Sequence, residues 1–324
     1  MRTKAIGFLF LMCACTTTIP LDINQGERIL MLNAQWNTND QEHLVYAGVS
    51  TQSSISPLET ARIRCYMDDN SIAFVDQPVR IVSNQACFDL RANLQPGSLL
   101  KLELEQGAEK AYSEVVIPVK TGQIESVDTL RSAGRVLFKV GIRDLSTDRN
   151  YFRLRIIHTY EVSIFKKNSD GEMILISEEK RSEDLPLSHD LDPVLQDGKL
   201  NGSIDERFFD SSFSNYYSVF SDRLFSGGTC TLAVSLDATK LYSFQVGELY
   251  DRISVNHQAE IRLETISLAT FDYLIALDQL ESGNAQSSTL LEPVVLPSNV
   301  VGGTGFVSIS TSDIFNMNLG GLQH

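Results

Sequence analysis

Short runs in which apolar and polar residues alternate fill residues 28–119 and predict β-strands rather than helices. Strict alternation at residues 100–105 predicts a strand with one face on a core and the other in water. Asp68-Asp69-Asn70 separates two such runs and predicts a hairpin turn, since Asp and Asn tolerate the backbone angles that tight turns need. Strands at this spacing, without helices between them, predict an immunoglobulin-like or transthyretin-like sandwich over residues 28–119.

A second β-rich domain is expected over residues 133–319, after a joint rich in small and polar residues at 120–133. Its longest predicted strand covers residues 151–165 and carries His158 on an apolar face. A histidine in that position is more often a core residue than a ligand, and we interpret it so. Apolar residues 173–177 follow a polar turn and are expected to complete a hairpin with that strand.

One amphipathic helix is predicted near the C-terminus, at about residues 267–281, in a chain that is otherwise mainly β. Ser267 is suited to cap its N-terminus through the side-chain oxygen. Asp272 and Asp278 are assigned to the face in contact with water. The apolar stripe consists of Leu268, Phe271, Leu274 and Leu277. We expect the helix to close one end of the second sandwich rather than to bind a partner.

Residues 1–14 have the basic start and short apolar run of a signal peptide and are too short to cross a bilayer. They lead to a motif that resembles a bacterial lipobox, in which a small residue precedes the cysteine that becomes acylated. Cys15 fits better than Cys13 because Ala14 supplies that small residue. Residues 15–27 then form a tether, and the acyl chains are expected to anchor the protein to a membrane that it does not cross.

The chain is acidic, with 27 Lys plus Arg against 41 Asp plus Glu and a net charge of -14. Removing Arg2 and Lys4 with the signal peptide leaves a net charge of -16. A surface of this sign repels nucleic acid and anionic lipid headgroups, so neither is an expected partner. Hydrophobic residues make up 43% of the chain, which is typical of a folded globular protein.

The cysteines offer no clustered metal site after Cys15. Alternation along the strands places Cys65 inward with Ile63 and places Cys87 outward, so the two are predicted to be free thiols rather than a disulfide. The five cysteines are Cys13, Cys15, Cys65, Cys87 and Cys230.

The most polar part of the chain, residues 178–215, is predicted to be a long loop that contacts a partner or solvent. Asp190, Asp192 and Asp197 are weak calcium candidates, because carboxylates at such spacings could ligate the ion. The series lacks the closing Glu of the helix-loop-helix calcium motif, so a solvated loop is the favoured interpretation. No cofactor is predicted.

The glycine-rich residues 302–305 are predicted to let the backbone follow a tight path into the last strand. No Lys-Ser or Lys-Thr follows them, so they do not match a phosphate-binding loop.

Three blocks of sequence, residues 217–228, 266–280 and 297–306, occur in this order after the lipobox. Together with the lipobox they resemble the Bacteroidota envelope lipoproteins catalogued as domain of unknown function four-two-four-nine. Members of that family are typically encoded beside TonB-dependent outer-membrane receptors, so the resemblance implies an accessory role in uptake across the outer membrane. The family has no established catalytic residues to carry over. In related surface lipoproteins acidic residues directly follow the lipid cysteine, whereas the first acidic residue here is Asp22. The sequence therefore leaves both a surface-facing and a periplasm-facing orientation open.

The expectation is therefore a lipid-anchored, non-catalytic binding or accessory protein of the outer membrane, working with a TonB-dependent receptor. A surface adhesin or structural envelope protein is the alternative. A hydrolase is the weaker third interpretation. Ser188, His189 and Asp190 have the residue types of a catalytic triad, but neighbours in sequence rarely converge in space, and the chain contains no Gly-x-Ser-x-Gly motif.

Overall fold

The computed structural model describes residues 28–51, 54–58, 60–132, 134–188, 192–197, 215–237, 252–281 and 296–319. Over these ranges the protein is mainly β, with one long helix near the C-terminus, as predicted. The first nine strands are β1 (Ile29–Asn37), β2 (Glu42–Ser50), β3 (Ile55–Pro57), β4 (Arg62–Met67), β5 (Asn70–Val75), β6 (Arg80–Val82), β7 (Gln85–Arg91), β8 (Leu99–Gln106) and β9 (Glu109–Val116).

The later elements are β10 (Gly122–Ser132), β11 (Arg135–Asp144), β12 (Tyr151–Lys167), β13 (Met173–Asp184), α1 (Pro193–Asp197), β14 (Val219–Ser221), β15 (Thr229–Asp237), β16 (Arg252–Ile266), α2 (Leu268–Glu281) and β17 (Val307–Asn318). A 3-10 turn, Asp222–Leu224, follows β14.

The first unit is a sandwich, as its alternating pattern predicts. A four-stranded sheet in the order β5-β4-β8-β9 packs on strands β1, β2 and β7 of a larger sheet. Asp68 and Asp69 adopt positive φ angles of 48° and 65° in the turn between β4 and β5, which confirms the predicted hairpin. Leu100, Leu102 and Leu104 of β8 are buried and the residues between them are not, so one face of this strand lies on the core.

The second unit is also built from two facing sheets. The three-stranded sheet β10-β11-β15 covers β12, β14 and β16, and aromatic and aliphatic side chains of both sheets fill the space between them. Phe138 of β11, Phe152 of β12 and Phe220 of β14 are all within 1% of complete burial. Burial of rings of this size supplies much of the free energy that holds such a layer together.

Strand β17 belongs to both units. Its first four residues pair in parallel with β1, from Val307 opposite Ala34 to Ser310 opposite Asn37. The following residues pair antiparallel with β16, starting at Thr311 opposite Thr265. One ten-stranded sheet therefore runs through both units, and the backbone hydrogen bonds of a single strand connect them.

The glycine-rich segment before β17 follows the close path that the sequence predicts. The Leu32 backbone N–H donates to the Thr304 carbonyl at 2.9 Å, and Tyr112 of β9 exchanges two backbone hydrogen bonds with Val301. The segment thus connects β1 to β9, one strand from each sheet of the first sandwich. A Cβ atom at Gly303 would lie 2.6 Å from the Leu30 carbonyl oxygen, so only glycine fits there without a shift.

Two polar segments differ from their prediction. Most of the predicted joint at residues 120–133 is strand β10, because its backbone pairs with β11 along nearly its whole length. The predicted loop at 178–215 begins as strand, since β13 continues to Asp184 and its charged run pairs with β12. In both cases a neighbouring strand completes the backbone hydrogen bonds, and tertiary pairing overrides local composition.

The prediction that Cys87 points outward, away from the core, is wrong, because its side chain is fully buried like that of Cys65. Strand β7 lies between β2 and β6, and Ala86, Cys87 and Phe88 are each 0% exposed, so both faces of the strand are covered. Cys65, Cys87 and Cys230 are free thiols. Burial raises the pKa of Cys65 to about 12, which keeps it protonated and unreactive.

Candidate functional site

The residues predicted to form a site fall mostly in segments beyond the described part of the chain. Cys15 and Asp190 lie outside the described residues, and so does the side chain of Asp197. Asp192 is described and is 1% exposed. One of its oxygens accepts the N–H groups of Val194 and Leu195 at 3.0 Å, and the other accepts the Ala233 N–H at 2.7 Å. The carboxylate thus caps helix α1 and attaches it to β15.

Within the described ranges, no three His, Cys, Asp or Glu side chains converge as metal ligands. The calcium hypothesis for the acidic segment stays a prediction. Asp192 is poorly placed to bind calcium, because both of its carboxylate oxygens already accept backbone N–H groups.

A buried carboxylate pair lies at one end of the second sandwich. Asp144 and Asp222 are 3% and 1% exposed, and the Asn150 side-chain amide donates to both, at 3.2 and 3.3 Å. Backbone N–H groups complete the arrangement: Gly227 donates to Asp144 at 2.9 Å and Asn150 donates to Asp222 at 2.9 Å. Burial raises the pKa of Asp222, and the neighbouring Asp144 raises it further.

This pair joins the loop after β11 to the turn after β14. Its oxygens accept from backbone groups on both segments, so the arrangement holds the path of the chain. Asp222 belongs to one of the blocks that the sequence singles out, whereas Asp144 and Asn150 were not identified. Their only sequence signal is a run of Asp, Ser and Asn residues, which is common in loops.

Two histidines lie side by side in the second sandwich. His158 of β12 and His257 of β16 are 1% and 6% exposed, and their rings stack with centroids 5.2 Å apart. Nε2 of His158 and Nδ1 of His257 are 3.0 Å apart, so one donates to the other. The prediction that His158 is a core residue is confirmed, but its hydrogen-bond partner on β16 was not foreseen.

Helix α2 begins where the sequence predicts. The Ser267 hydroxyl accepts the Thr270 N–H at 3.1 Å, which confirms the N-cap. Phe271 and Leu274 pack against Val219, Ile266 and neighbouring aromatic side chains. Leu268 is 51% exposed and does not join this contact, so the predicted stripe is wrong at its first position.

The assignment of Asp278 to the solvated face of α2 is wrong. Its side chain is 2% exposed, and its two oxygens accept the backbone N–H groups of Asn215 and Tyr216 at 3.1 and 3.0 Å. The segment that enters β14 supplies these donors from more than sixty residues away. Asp278 therefore holds that segment against the helix, and Asp272 alone is exposed as expected.

Replacing Asp278 with Ala should lower the free energy of unfolding by about 2 kcal/mol, because the buried Asn215 N–H and the partly buried Tyr216 N–H lose their acceptor. Chemical denaturation with urea measures the change. The matched control is Asp272→Ala on the same helix, which should remain within about 0.5 kcal/mol of wild type. Equal losses for both variants would contradict the assigned role of Asp278.

A three-stranded arm extends from the second sandwich beyond the end of β17. It consists of residues 160–181 and 252–257, where β13, β12 and β16 pair with one another and β16 does not pair with β17. All twelve residues of β13 are exposed. Four of them are consecutive large apolar residues, here named the apolar edge: Met173, Ile174, Leu175 and Ile176, with exposures of 41%, 47%, 48% and 54%.

The sequence predicted a strand at this position but not its exposure. A signal was present: four apolar residues in a row, without alternation, precede a run of eight charged or polar residues. A run of that kind on a solvent-exposed strand is unusual unless it has a function. The apolar edge is therefore a surface of the described chain that is suited to contact another molecule.

The structure thus defines a mainly β protein of two fused sandwiches that carries an exposed strand at one side. The chain belongs to the family described as Domain of unknown function (DUF4249), whose model matches residues 16–314. This membership confirms the resemblance noted in the sequence. No curated protein matches the chain.

The solved structures to which the chain is similar include a DUF4785 family protein of Legionella pneumophila, at 13% identity and a TM-score of 0.23, with 73% of this chain and 52% of that chain covered. The adhesin InvE of Yersinia pseudotuberculosis is 13% identical with a TM-score of 0.20, and 73% of this chain and 55% of that chain are covered. The chain spans about half the length of each. Similarity at this level carries no argument about function.

Among the described residues, no helix has the length and apolar character needed to cross a bilayer.

Proposed function

We propose that the protein is a lipid-anchored, non-catalytic binding or accessory protein of the outer membrane that works with a TonB-dependent receptor in nutrient uptake. The observation that supports a binding role most directly is the exposed arm with its apolar edge. The continuous ten-stranded sheet supports it as well, because it fixes the arm to both units. The lipobox at Cys15 supports the anchor.

The buried polar groups are consistent with scaffolding rather than chemistry. The carboxylates of Asp192, Asp222 and Asp278 each accept backbone N–H groups that position a loop or a helix. A catalytic carboxylate must reach a substrate, and these three are at most 2% exposed.

The anchor is tested by metabolic labelling with an alkyne-modified fatty acid in cells that express the full chain. Cys15→Ser should lose the label and leave the membrane fraction, because it lacks the thiol to which the proposed lipid is attached. Cys13→Ser is the matched control and should keep both. Loss of label in the Cys13 variant alone would move the lipidation site to Cys13, and absence of label in the wild-type chain would remove the lipoprotein assignment.

The partnership is tested by crosslinking in native outer membranes, followed by affinity purification of the tagged, lipidated protein and mass spectrometry. A TonB-dependent receptor should be the main crosslinked protein. The Cys15→Ser variant should recover much less of it, since an anchored protein meets its partner at a far higher effective concentration. If no receptor is recovered with the lipidated protein, the proposed partnership with a TonB-dependent receptor is contradicted.

A further inference from the structure

We propose that the side chains of Asp144 and Asp222 share one proton and together act as a proton-operated clasp at one end of the second sandwich. With the proton in place, the clasp fastens the turn at residues 222–228 to the loop that follows β11. When the proton leaves, the turn loosens. This device is independent of the proposed lipid anchor and of the proposed receptor.

The two carboxylates are enclosed at the rim of the core. Asp144 ends β11 and continues its row of buried residues, and Asp222 begins the 3-10 turn after β14. Their exposures are 3% and 1%. Water screens two negative charges poorly in such surroundings, so one member of the pair binds a proton more readily than an isolated aspartate does.

Hydrogen-bond donors reach three of the four carboxylate oxygens. Oδ1 of Asp144 accepts the Ser146 N–H and the Asn150 side-chain amide, both at 3.2 Å, and Oδ2 accepts the Gly227 N–H at 2.9 Å. Oδ2 of Asp222 accepts the Asn150 N–H at 2.9 Å and the Asn150 amide at 3.3 Å. No N–H or hydroxyl group in the described part of the chain donates to Oδ1 of Asp222.

A proton on Oδ1 of Asp222 completes this arrangement. A buried carboxylate oxygen without a donor is unfavourable, whereas a carboxyl O–H is itself a donor, and Asp144 lies within hydrogen-bonding reach. The pair then carries one negative charge instead of two, and the proton passes to water when it leaves. Burial raises the pKa of Asp222; the Asn150 N–H lowers it in part, and Asp144 raises it further.

The charged side chains on the surrounding segments are directed elsewhere. Three of them have partners of their own, which are Glu125 for Arg143 at 2.6 Å, Asp313 for Lys120 at 2.9 Å and the Tyr151 ring for Arg149 at 5.7 Å. Asp148 and Arg223 are exposed, so water and salt screen their charges. Among the described residues, no Lys, Arg or His forms an ion pair with Asp144 or Asp222, and a proton is left to neutralise the pair.

A metal ion fits this arrangement less well than a proton. The groups that surround the two carboxylates are N–H donors, and their hydrogen atoms occupy directions from which a cation would approach. The described ranges bring no third acidic, histidine or cysteine side chain to the pair. Hard divalent cations in proteins are held by a larger set of oxygen ligands.

The clasp fastens a turn that carries a core residue. Phe225 lies in this turn, is 8% exposed, and has its ring centre 6.3 Å from those of Phe152 and Phe220. Gly227 of the same turn is held by its N–H bond to Asp144. Two buried negative charges repel each other, so loss of the proton favours movement of the turn away from the loop and brings water to Phe225.

The raised pKa of Asp222 fixes the sign of the pH dependence. Below the ordinary aspartate pKa of about 3.9, the folded and unfolded chains both hold the proton. Above it the unfolded chain releases the proton first, so the contribution of the pair to stability falls until the pH passes the folded pKa. His158 acts in the opposite direction between pH 4 and 6.5, and variants of the pair are needed to separate the two effects.

The main experiment measures urea unfolding of the full-length chain at pH 4 and pH 8. Asp222→Asn carries an amide N–H in place of the shared proton at every pH and should keep the clasp closed. Its urea midpoint should therefore rise relative to wild type by about 0.3 M or more between the two pH values. Asp148→Asn is the matched control, an exposed aspartate in the same loop, and its difference from wild type should not change with pH.

Infrared spectroscopy detects the proton directly, because a protonated carboxyl group and a carboxylate absorb at different frequencies. At pH 5 the wild type should show a protonated-carboxyl band that is missing from Asp222→Asn and from Asp144→Asn. Each variant removes one carboxyl group of the pair, so the comparison holds even if only one of them folds.

Hydrogen exchange tests whether the proton operates a clasp. The protection factors of the Asn150 and Gly227 N–H groups should fall about tenfold or more in wild type between pH 5 and pH 8, because both groups donate to the pair. In Asp222→Asn they should stay constant over the same range.

Three results would overturn the proposal. One is a difference in urea midpoint between Asp222→Asn and wild type that is the same at both pH values, since both carboxylates would then be charged throughout. Another is unchanged protection of Asn150 and Gly227 after the infrared band has disappeared, which would leave a shared proton without a clasp. The third is a midpoint that 1 mM calcium chloride raises in wild type but not in Asp222→Asn, which would assign the pair to a cation.

Discussion

Substitution of Gly305 by Ala should lower the free energy of unfolding by about 3–5 kcal/mol and disturb the junction between the two units. Gly305 has a φ of +116°, which side chains of L-residues rarely adopt. A Cβ at this position would overlap the Leu32 carbonyl oxygen and lie 2.8 Å from Asn33 Oδ1. These atoms belong to the neighbouring backbone and to the side chain that accepts the Phe306 N–H at 2.9 Å, so neither can move freely.

The consequence extends beyond the loop because Gly305 leads directly into β17. A displaced backbone there would weaken the parallel pairing of Val307 to Ser310 with β1, and this pairing is the connection between the first unit and the rest of the sheet. Urea unfolding should therefore show a lower midpoint, and limited proteolysis should cleave the variant more readily near the junction.

Gly107→Ala is the matched control. Gly107 also has a positive φ, +61°, but nothing lies within 4 Å of its would-be Cβ. That variant pays only the backbone strain, about 1 kcal/mol. If the two alanine variants lose similar stability, the close approach of Gly305 to β1 is not what requires glycine.

Features set by neighbouring residues were predictable from the sequence. The turn at Asp68 and Asp69, the cap at Ser267 and the close path through the glycines each depend on a few adjacent residues with restricted conformations. The burial of His158 followed from alternation along a single strand. In each of these cases the information lies within one turn or one element.

Features set by distant partners were not predictable. Asp278 has the spacing of a solvated helix residue, and its burial depends on N–H groups at Asn215 and Tyr216. The same holds for Asp144 and Asp222, which two separate loops bring together. A polar residue is buried when donors converge on it, and no local pattern records where donors from elsewhere in the chain will lie.

The exposure of the apolar edge was not predicted, for a related reason. Alternation of apolar and polar residues predicts which side chains of a strand are buried when one face of the strand lies on a core. The apolar edge shows no alternation, and all of its side chains are exposed. Its charged continuation suggested a loop because strand propensity is low there. The long partner strand β12, with seventeen residues, pairs with this segment and holds it as a strand.

Lowering the pH from 7 to 4 should reduce the free energy of unfolding by about 3 kcal/mol through His158 alone. Burial lowers the pKa of His158 from 6.5 to about 4, and the nearby His257 contributes to the same shift. Burial also lowers the pKa of His257, and Arg131 of β10 adds to the effect. Nδ1 of His158 has no hydrogen-bond partner in the described part of the chain, so nothing there stabilises a proton on it.

The direction follows from the proton balance. Above pH 6.5 both folded and unfolded His158 are neutral, and its contribution does not change with pH. Between 6.5 and 4 the unfolded chain binds a proton that the folded chain excludes, so stability falls by up to about 1.4 kcal/mol per pH unit. Below the folded pKa of about 4 both states are protonated and the loss stops growing.

Urea unfolding at a series of pH values separates this effect from the titration of carboxylates. His158→Gln should flatten the fall between pH 6.5 and 4 by about 3 kcal/mol relative to wild type, because glutamine binds no proton. Thr159→Ala, at the adjacent position facing the opposite side of β12, should keep the full slope. A His158→Gln profile parallel to that of wild type would mean that folded His158 accepts its proton near the ordinary pKa. The stacked histidine pair on β12 and β16 would then tolerate a positively charged imidazole ring.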